Sequence, residues 1–244
     1  MTVAIFAINL DRSKDRWTAL SKQARDFDLT VVRVPGVDGS QVSPADRANC
    51  DAAAFRRNNG RTILPGEYGC YRSHLAALSA FVQSGERLGV IAEDDVRLTA
   101  ELPARVEAAF SVLPEADLIK LCNHRIVWFR RLTTSSLGDE IGRAAHGPQG
   151  SAACYAVTRD GASKLIQSLQ TMEYPWDVAL ERGWATGVQT YTTREDLVTL
   201  DRGTSTIASR AEYRQTKFPW WRRLRTHGCR MLESAQRIRY AFLS

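Results

Sequence analysis

Short apolar runs alternate with longer amphipathic segments along the chain, the pattern of a sheet with helices packed on it. Residues 2–8 cluster β-branched and apolar side chains and predict a buried first strand, and residues 29–34 predict a second. Between them, residues 12–26 repeat apolar positions at helical spacing within a polar segment. This order of strand, helix and strand favours a parallel α/β unit.

The rest of the chain continues the alternation. Ser43-Pro44 predicts a helix start, because Ser caps a helix and Pro suits its first position. A further helix is predicted from about residues 64–67 to Ser84, and residues 133–150, rich in Ser, Thr and Gly, predict a mobile loop. The remaining predicted elements are strands at 87–92, 117–121, 152–157 and 188–192 and helices at 103–113, 160–169 and 176–183.

The predicted fold class is therefore α/β, with one open and mostly parallel central sheet. Binding sites in such sheets lie beyond the carboxyl ends of the strands. We therefore look for chemistry at the residues that follow each predicted strand.

Composition and charge narrow the function classes. Hydrophobic residues make up 44% and charged residues 25% of the 244 residues, as in ordinary globular proteins. Five cysteines without a CxxC pair suit a reducing compartment, and no apolar stretch approaches the roughly 20 residues of a membrane span. We expect a cytoplasmic protein without a transmembrane helix.

The basic charge is concentrated in residues 210–244. This segment holds nine Lys/Arg and two Asp/Glu, a net of +7, so the rest of the +6 chain has a net of −1. A nearly neutral body argues against nucleic-acid binding as the main function. The chain also lacks the GxxxxGK[ST] and GxGxxG fingerprints of P-loop and dinucleotide-binding proteins.

Three adjacent carboxylates, Glu93-Asp94-Asp95, follow the strand predicted at 87–92. Burying them together without a counter-charge would be costly, and a hard cation such as Mg²⁺ or Mn²⁺ would remove that cost. In an extended chain Glu93 and Asp95 point to one side and Asp94 to the other. The alternative interpretation is a solvated acidic turn.

The chain resembles glycosyltransferase family 25, the lipooligosaccharide and collagen-galactosyltransferase group, over roughly residues 3–200. The matching segments, in chain order, are Ala7-Ile8-Asn9-Leu10-Asp11-Arg12 with Asp15-Arg16, Val37-Asp38-Gly39, Leu64-Pro65-Gly66-Glu67-Tyr68-Gly69-Cys70 with Ser73-His74-Leu75, Val90-Ile91-Ala92-Glu93-Asp94-Asp95-Val96, Gly150-Ser151-Ala152-Ala153-Cys154-Tyr155-Ala156-Val157 with Gly161-Ala162, and, more loosely, Pro175-Trp176-Asp177. The segments that include His74 and Asp95 are specific in combination.

This resemblance implies a GT-A-like, nucleotide-sugar-binding fold and a UDP-sugar donor, most often UDP-galactose in the family. It also implies Mn²⁺ or Mg²⁺ on the donor diphosphate, held by Asp95 and Glu93, with Glu93 and Asp94 also touching the donor. Other residues that it assigns to donor binding are Asn9, Arg12, Arg16, Asp38, Ser73 and His74.

Simpler roles remain open for several of these residues. Arg12 and Arg16 share one helix face, which suits a phosphate or plain solvent. Asp38 either binds the nucleoside or forms its turn, and His74 either reaches the donor or is a hydrogen-bonded packing residue. Glu67 is expected to cap its own helix.

The resemblance also implies inversion at the transferred sugar, which needs a base that deprotonates the acceptor hydroxyl. Asp177 is the expected base and Glu181, one turn later, is the reserve. Trp176 is expected to stack on a sugar ring. Asp177 is otherwise a cap for the helix that follows it.

The predicted domains are a GT-A-like glycosyltransferase domain at 1–208 and a basic, aromatic tail at 209–244. The tail mixes Trp220, Trp221 and several arginines, which suits an anionic membrane surface. Packing on the body is a second interpretation, and nucleic acid binding a third that we set aside. A membrane contact would place the protein peripherally on the inner face of the plasma membrane.

The predicted function is metal-dependent, inverting transfer of a sugar to a lipooligosaccharide or other glycan or glycolipid acceptor, as in lipopolysaccharide biosynthesis. One alternative is a degenerate module that binds nucleotide sugar without turnover. The intact acidic triplet argues against this alternative. Another is a hydrolase acting through paired carboxylates such as Asp95 and Asp177.

Overall fold

The computed structural model describes residues 3–201 and 210–243. The strands are β1 (Ala4–Asn9), β2 (Val31–Pro35), β3 (Leu88–Glu93), β4 (Val96–Arg97), β5 (Leu118–Lys120), β6 (Val127–Thr134), β7 (Glu140–His146), β8 (Cys154–Thr158), β9 (Thr190–Thr193) and β10 (Thr199–Leu200). The α-helices are α1 (Lys14–Asp26), α2 (Ala52–Asn59), α3 (Pro65–Ser84), α4 (Leu102–Val112), α5 (Arg159–Ser168), α6 (Trp176–Leu180), α7 (Gly183–Thr186), α8 (Arg210–Gln215) and α9 (Leu224–Leu243).

One eight-stranded sheet forms the centre of the molecule, in the order β2-β1-β3-β8-β5-β9-β7-β6. β1 pairs in parallel with β2 and β3, and β5 pairs in parallel with β9. β8 and β7 pair antiparallel with each of their neighbours, so they run opposite to the other strands. The predicted α/β class with a mostly parallel central sheet is therefore confirmed.

Apolar side chains cover both faces of this sheet. Successive residues of a strand point to opposite faces, so Ile5 and Val90 join the core on one side, under α1 and α4. Phe6 and Ile91 join the core on the other side, under α3 and α5. The result is a three-layer arrangement in which the carboxyl ends of β1, β3 and β5 meet at one edge.

The segment predicted as a mobile loop at 133–150 is instead β-structure for half of its length. It contains the end of β6, a turn with Gly138 at φ +90°, and all of β7, which pairs with β9. Thr is favoured in strands, and Ser135 and Gly138 belong only to the turn, so the local composition is misleading. The buried Asp139 of this turn pairs with Arg105 of α4.

Two predicted helices also differ from the structure. Pro44–Asp46 forms only one 3-10 turn, and the helix begins at α2, where the Asp51 carboxylate caps the amides of Ala53 and Ala54. The helix predicted at 176–183 is split into α6 and α7. The break lies where Gly183 packs directly against the Tyr240 hydroxyl, a contact that leaves no room for a side chain.

The C-terminal helix α9 packs on the body with one face. Thr226, Arg237, Tyr240 and Ala241 are buried on α2, α7 and β7. The packing interpretation of the tail therefore describes this face of α9. The predicted boundary at residues 208 and 209 lies outside the described residues.

The other face of the C-terminal segment is exposed. Its exposed apolar side chains include Trp220, Trp221, Leu224, Met231 and Leu232. Within the described ranges no helix is long and apolar enough to cross a bilayer.

Candidate active site

Two adjoining depressions lie at the sheet edge where β1 and β3 end and β8 begins. The small pocket is lined by Ile8, Leu10, Arg12, Ser13, Val37, Asp38, Gly39, Gly66, Cys70, Ser73, His74, Glu93 and Asp94. The wide cleft, of about 600 Å³, is lined by Asn59, Arg61, Glu67, Cys70, Glu93, Asp95, His124, Ser151, Ala152, Ala153, Pro175, Trp176, Asp177, Val178, Leu200, Asp201, Tyr213 and Arg230. Cys70 and Glu93 line both, so the two depressions are continuous.

The acidic triplet is divided between these two depressions. Asp94 faces the small pocket, where its carboxylate accepts hydrogen bonds from Asn9 Nδ2 at 2.7 Å and Arg16 Nη1 at 3.1 Å. Asp95 faces the wide cleft, and Glu93 lies at the junction of the two. β3 ends at Glu93 and Asp94-Asp95 form a turn, so the three carboxylates have different surroundings because of this turn and not because of the alternation predicted for an extended chain.

Asp95 is the carboxylate of the triplet that has a buried oxygen atom with an unsatisfied hydrogen-bonding capacity among the described residues. Its Oδ1 atom is buried and has no hydrogen-bond partner in the described part of the chain. Burial, followed by repulsion from Glu93, raises the pKa of Asp95 to about 6, although Arg16 opposes the shift. A buried carboxylate oxygen without a partner is costly, and a cation would satisfy it. The residues at 93–95 therefore fit an oxygen-ligated Mn²⁺ or Mg²⁺.

His74 links the triplet to the core through a buried network. Its Nε2 lies 3.4 Å from Glu93 Oε1, and its Nδ1 lies 3.3 Å from the Tyr155 hydroxyl. The imidazole stacks on the Trp176 indole with 5.1 Å between ring centroids and 6° between planes. His74 is thus a hydrogen-bonded packing residue that also lines the small pocket, and it fixes the direction of the Glu93 carboxylate.

Cys70 joins this network, although sequence reasoning did not single it out. Its Sγ, a ring nitrogen of His74 and a carboxylate oxygen of Glu93 all lie within 4.8 Å of one another. Burial, then repulsion from Glu93, raises the pKa of the Cys70 thiol well above its ordinary value. The four-residue spacing of Cys70 and His74 on α3 was a signal that would have placed them together.

The Val37-Asp38-Gly39 turn forms the wall of the small pocket by docking on α3. Ser73 Oγ accepts from the Val37 amide at 2.8 Å and donates to the Gly69 carbonyl at 2.7 Å. A β-carbon on Gly39 would lie 1.9 Å from the Pro65 carbonyl oxygen, and one on Gly69 would lie 2.4 Å from the Val37 oxygen. The turn and the helix therefore touch backbone to backbone.

Asp38 and Arg12 form an ion pair at the rim of this pocket. Asp38 also accepts from the Ser40 amide at 3.1 Å, so it shapes its own turn as the simpler interpretation predicts. Both side chains still line the pocket.

Arg16 is not a solvated helix residue, since it holds Asp94. Asn9 is buried and holds Asp94 from the other side.

Asp177 is distant from the acidic triplet in sequence, but it lines the wide cleft together with Asp95. It lies in the first turn of α6, whose N-cap is Pro175, so it is not the cap of that helix. Burial, followed by repulsion from Glu181, raises the pKa of Asp177 above its ordinary value. A carboxylate with a raised pKa is suited to accept a proton near neutral pH.

Glu181 and Trp176 do not have the roles expected of them. Glu181 is fully buried, pairs with Lys120 at 2.8 Å and Arg237 at 2.9 Å, and is not among the residues that line the cleft. Burial acts to raise its pKa, but the two cations hold the pKa below its ordinary value. Trp176 is 2% exposed and stacks on His74 instead of offering its face to a sugar.

Glu67 has the capping role predicted for it. Its Oε2 accepts from the Leu64 amide at 3.0 Å and closes the first turn of α3. It also pairs with Arg61, whose Nη1 lies 2.6 Å from Oε2. This pairing partner was not predicted.

A family model described as glycosyltransferase family 25 (LPS biosynthesis protein) matches residues 2–180. The chain belongs to glycosyltransferase family 25. All the residues of the small pocket fall within this match, as do Asp95 and Asp177 of the wide cleft. The C-terminal helix α9 lies beyond it.

Relatives of this family 25 chain include a protein named as a galactosyltransferase and one named as inactive. A glycosyltransferase 25 family member of Anopheles gambiae is 27% identical over 180 residues, which is 67% of this chain and 28% of that protein. Human procollagen galactosyltransferase 2 is 25% identical over 118 residues, 47% of this chain and 19% of that protein. Human inactive glycosyltransferase 25 family member 3 is 27% identical over 107 residues, 42% of this chain and 18% of that protein.

The family 25 chain spans less than a third of the length of these curated relatives. Among solved structures, a glycosyltransferase involved in the glycosylation of the major capsid of PBCV-1 aligns over 95% of this chain and all of that one. Its TM-score is 0.43 and its sequence identity 9%. The family assignment therefore rests on sequence, and the site on the geometry above.

Proposed function

We propose that the chain transfers a sugar, galactose from UDP-galactose, to a glycan acceptor with inversion and in a metal-dependent reaction. The observation that carries the proposal is the buried Asp95 oxygen beside Glu93, which has no partner among the described residues and lies in a cleft that also holds Asp177. A cation site and a candidate base thus share one depression, as glycosyl transfer from a nucleotide sugar requires.

The donor is assigned to the small pocket and its junction with the cleft. Asp95 and Glu93 would hold Mn²⁺ or Mg²⁺, which when bound offsets the charge that develops on the leaving UDP. Asn9 and Arg16 hold Asp94 in place, so the triplet keeps its geometry when the nucleotide is absent. Arg12 and Asp38 present a cation and an acceptor oxygen at the rim, where the nucleoside and its phosphates would bind.

The acceptor is assigned to the wide cleft. Its hydroxyl oxygen attacks the anomeric carbon as the bond from that carbon to the UDP oxygen breaks, which inverts the configuration. Asp177 accepts the hydroxyl proton, and UDP leaves with the bonding electrons. The raised pKa of Asp177 matches this task, because a base accepts a proton best when its pKa lies near the working pH.

UDP release from a panel of UDP-sugars with Mn²⁺, with and without EDTA, tests this proposal on the wild type and on Asp95→Ala. Metal-dependent release from one sugar that is lost in Asp95→Ala supports it. Asp26→Ala, which removes an exposed carboxylate of α1, is the matched control and should release UDP like the wild type. UDP release that is unchanged by EDTA and by the Asp95→Ala substitution would refute the metal assignment.

The second candidate function is binding of a nucleotide sugar without turnover, and the inactive human relative is the observation that favours it. Calorimetry with UDP and Mn²⁺ separates the two. Binding with no UDP release from any sugar or glycan acceptor supports the binding module. Absence of binding would refute both functions.

The exposed face of the C-terminal segment supports an acceptor that is presented at an anionic membrane, such as a lipid-linked lipooligosaccharide. Trp220, Trp221 and Leu224 are each more than half exposed, and Arg222 and Arg225 lie beside them in the chain. Aromatic and basic side chains together bind the headgroup region of anionic bilayers. On this basis we propose that the enzyme acts in the cytoplasm, on the inner face of the plasma membrane.

A further inference from the structure

Three arginines from distant parts of the chain lie close together, and two of them line the wide cleft. Arg61 follows α2, while Arg223 precedes α9 and Arg230 lies within it. Arg61 and Arg230 line the cleft, and the Arg223 side chain packs over Gly60, where an added β-carbon would lie 3.0 Å from its Cγ and Cδ. We call Arg61, Arg223 and Arg230 the arginine cluster.

One carboxylate neutralises this cluster only in part. Glu67 pairs with Arg61, which also lies between the rings of Phe55 and Tyr213. Among the side chains that the structure describes, at residues 3–201 and 213–243, no ion pair involves Arg223 or Arg230. Within the same described residues, Arg230 donates to the Asn59 carbonyl alone, at 3.4 Å, and the buried Arg223 Nε has no acceptor.

Three other arginines that are at least partly buried each pair with a carboxylate. Arg105 pairs with Asp139, Arg182 with Glu233 and Arg237 with Glu181. In contrast, the cluster brings like charges together, and burial followed by repulsion from Arg223 and Arg61 lowers the pKa of Arg230. Such an arrangement is unfavourable alone and becomes favourable when an anion binds.

We infer that the wide cleft takes an acceptor glycan that carries an acidic substituent, a phosphate or a carboxylate, and that Arg230, with the positive charge of Arg223 beside it, binds this group. The guanidinium fork matches the oxygens of both anions. The inference rests on the proposed function, because Asp177 in the same cleft assigns the cleft to the acceptor. It makes α9 part of the acceptor site, although α9 lies outside the family match.

Calorimetry with three sugars tests the inference on the protein already saturated with UDP and Mn²⁺. The probes are glucose, glucose 6-phosphate and glucuronic acid, so that a neutral sugar is compared with its two acidic forms. Bound UDP keeps the probes out of the donor phosphate site. The variant is Arg223→Gln combined with Arg230→Gln, and the control is Arg239→Gln, an exposed arginine of α9 outside the cleft lining.

The acidic sugars should bind the wild type and the control at least about 10-fold more tightly than glucose, because a hydrogen bond to a charged group contributes that much. The double variant should lose this preference and keep the UDP affinity of the wild type. Equal binding of all three sugars to the wild type overturns the inference, and this readout does not depend on how any variant folds. UDP affinity that falls in the double variant also overturns it, because the cluster would then serve the donor.

Vesicles with and without phosphatidylglycerol distinguish a glycan acid from a lipid headgroup. The inference is supported if the double variant binds vesicles as well as the wild type does. It is overturned if the double variant loses vesicle binding but keeps its preference for glucose 6-phosphate. Failure of the wild type to bind UDP with Mn²⁺ would refute the proposed function instead, so the two failures are separable.

Discussion

Replacing Asp95 by Asn tests the cation site through stability alone. Burial and the neighbouring Glu93 raise the pKa of Asp95 from 3.8 to about 6. The folded protein therefore holds a proton at Asp95 that the unfolded chain has lost between these two pH values. Because of this linkage, stability falls as the pH rises from 3.8 to 6, and the full cost of ionised Asp95 is present above pH 6.

The size of this cost follows from the two pKa values. Their difference corresponds to about 3 kcal/mol, and the partial exposure of Asp95 reduces the estimate to about 1–3 kcal/mol. Asp95→Asn removes the charge and keeps the shape of the side chain. In the presence of EDTA at pH 7.5 we therefore expect the variant to be more stable than the wild type by about 1–3 kcal/mol, with the difference vanishing near pH 4.

Urea unfolding at pH 4, 6 and 7.5, with EDTA or with Mn²⁺, measures these differences. Mn²⁺ should stabilise the wild type, because it binds only the folded protein, and should leave Asp95→Asn unchanged. Asp201→Asn is the matched control, since Asp201 also lines the cleft but pairs with Arg97, and its loss should not stabilise the protein. An Asp95→Asn protein that is less stable than the wild type at pH 7.5 would refute the reasoning.

Three further predictions concern other parts of the site. Asp177→Asn should lower the rate of UDP release in the presence of an acceptor by about 10²–10⁴-fold, while calorimetry shows unchanged UDP affinity. Near-wild-type turnover would exclude Asp177 as the base. Glu181→Gln should lower the free energy of unfolding in urea by about 3–5 kcal/mol, because it leaves two buried cations without a carboxylate; a loss below about 1 kcal/mol would contradict this. Trp220→Ser with Trp221→Ser should abolish co-sedimentation with phosphatidylglycerol vesicles at unchanged UDP affinity, and retained co-sedimentation would exclude these indoles from membrane contact.

The residues that the sequence predicts best are those at the ends of buried strands. The apolar run before Glu93 predicts β3, and the rule that sites lie at carboxyl strand ends then predicts the position of the triplet. Both inferences use only neighbours in sequence, which is why they agree with the structure. Predictions that needed distant partners were weaker.

Glu181 and residues 133–150 show why the remainder was missed. Glu181 is one turn from Asp177 in sequence, yet Lys120 and Arg237 from elsewhere in the chain remove it from the cleft. The polar composition of residues 133–150 indicates a loop, but pairing of β7 with β9 overrides that preference. The arginine cluster joins residues 61 and 230, and no local pattern connects them.

The backbone contact between the Val37-Asp38-Gly39 turn and α3 has a genetic consequence. A side chain at Gly39 or Gly69 meets main-chain oxygens of Pro65 or Val37, which no substitution at a neighbouring position can shrink. A damaging change at either glycine therefore has no second-site suppressor nearby. Selection for restored activity should return only reversion to glycine, so both positions would remain fixed while the pocket around them adapts to another donor.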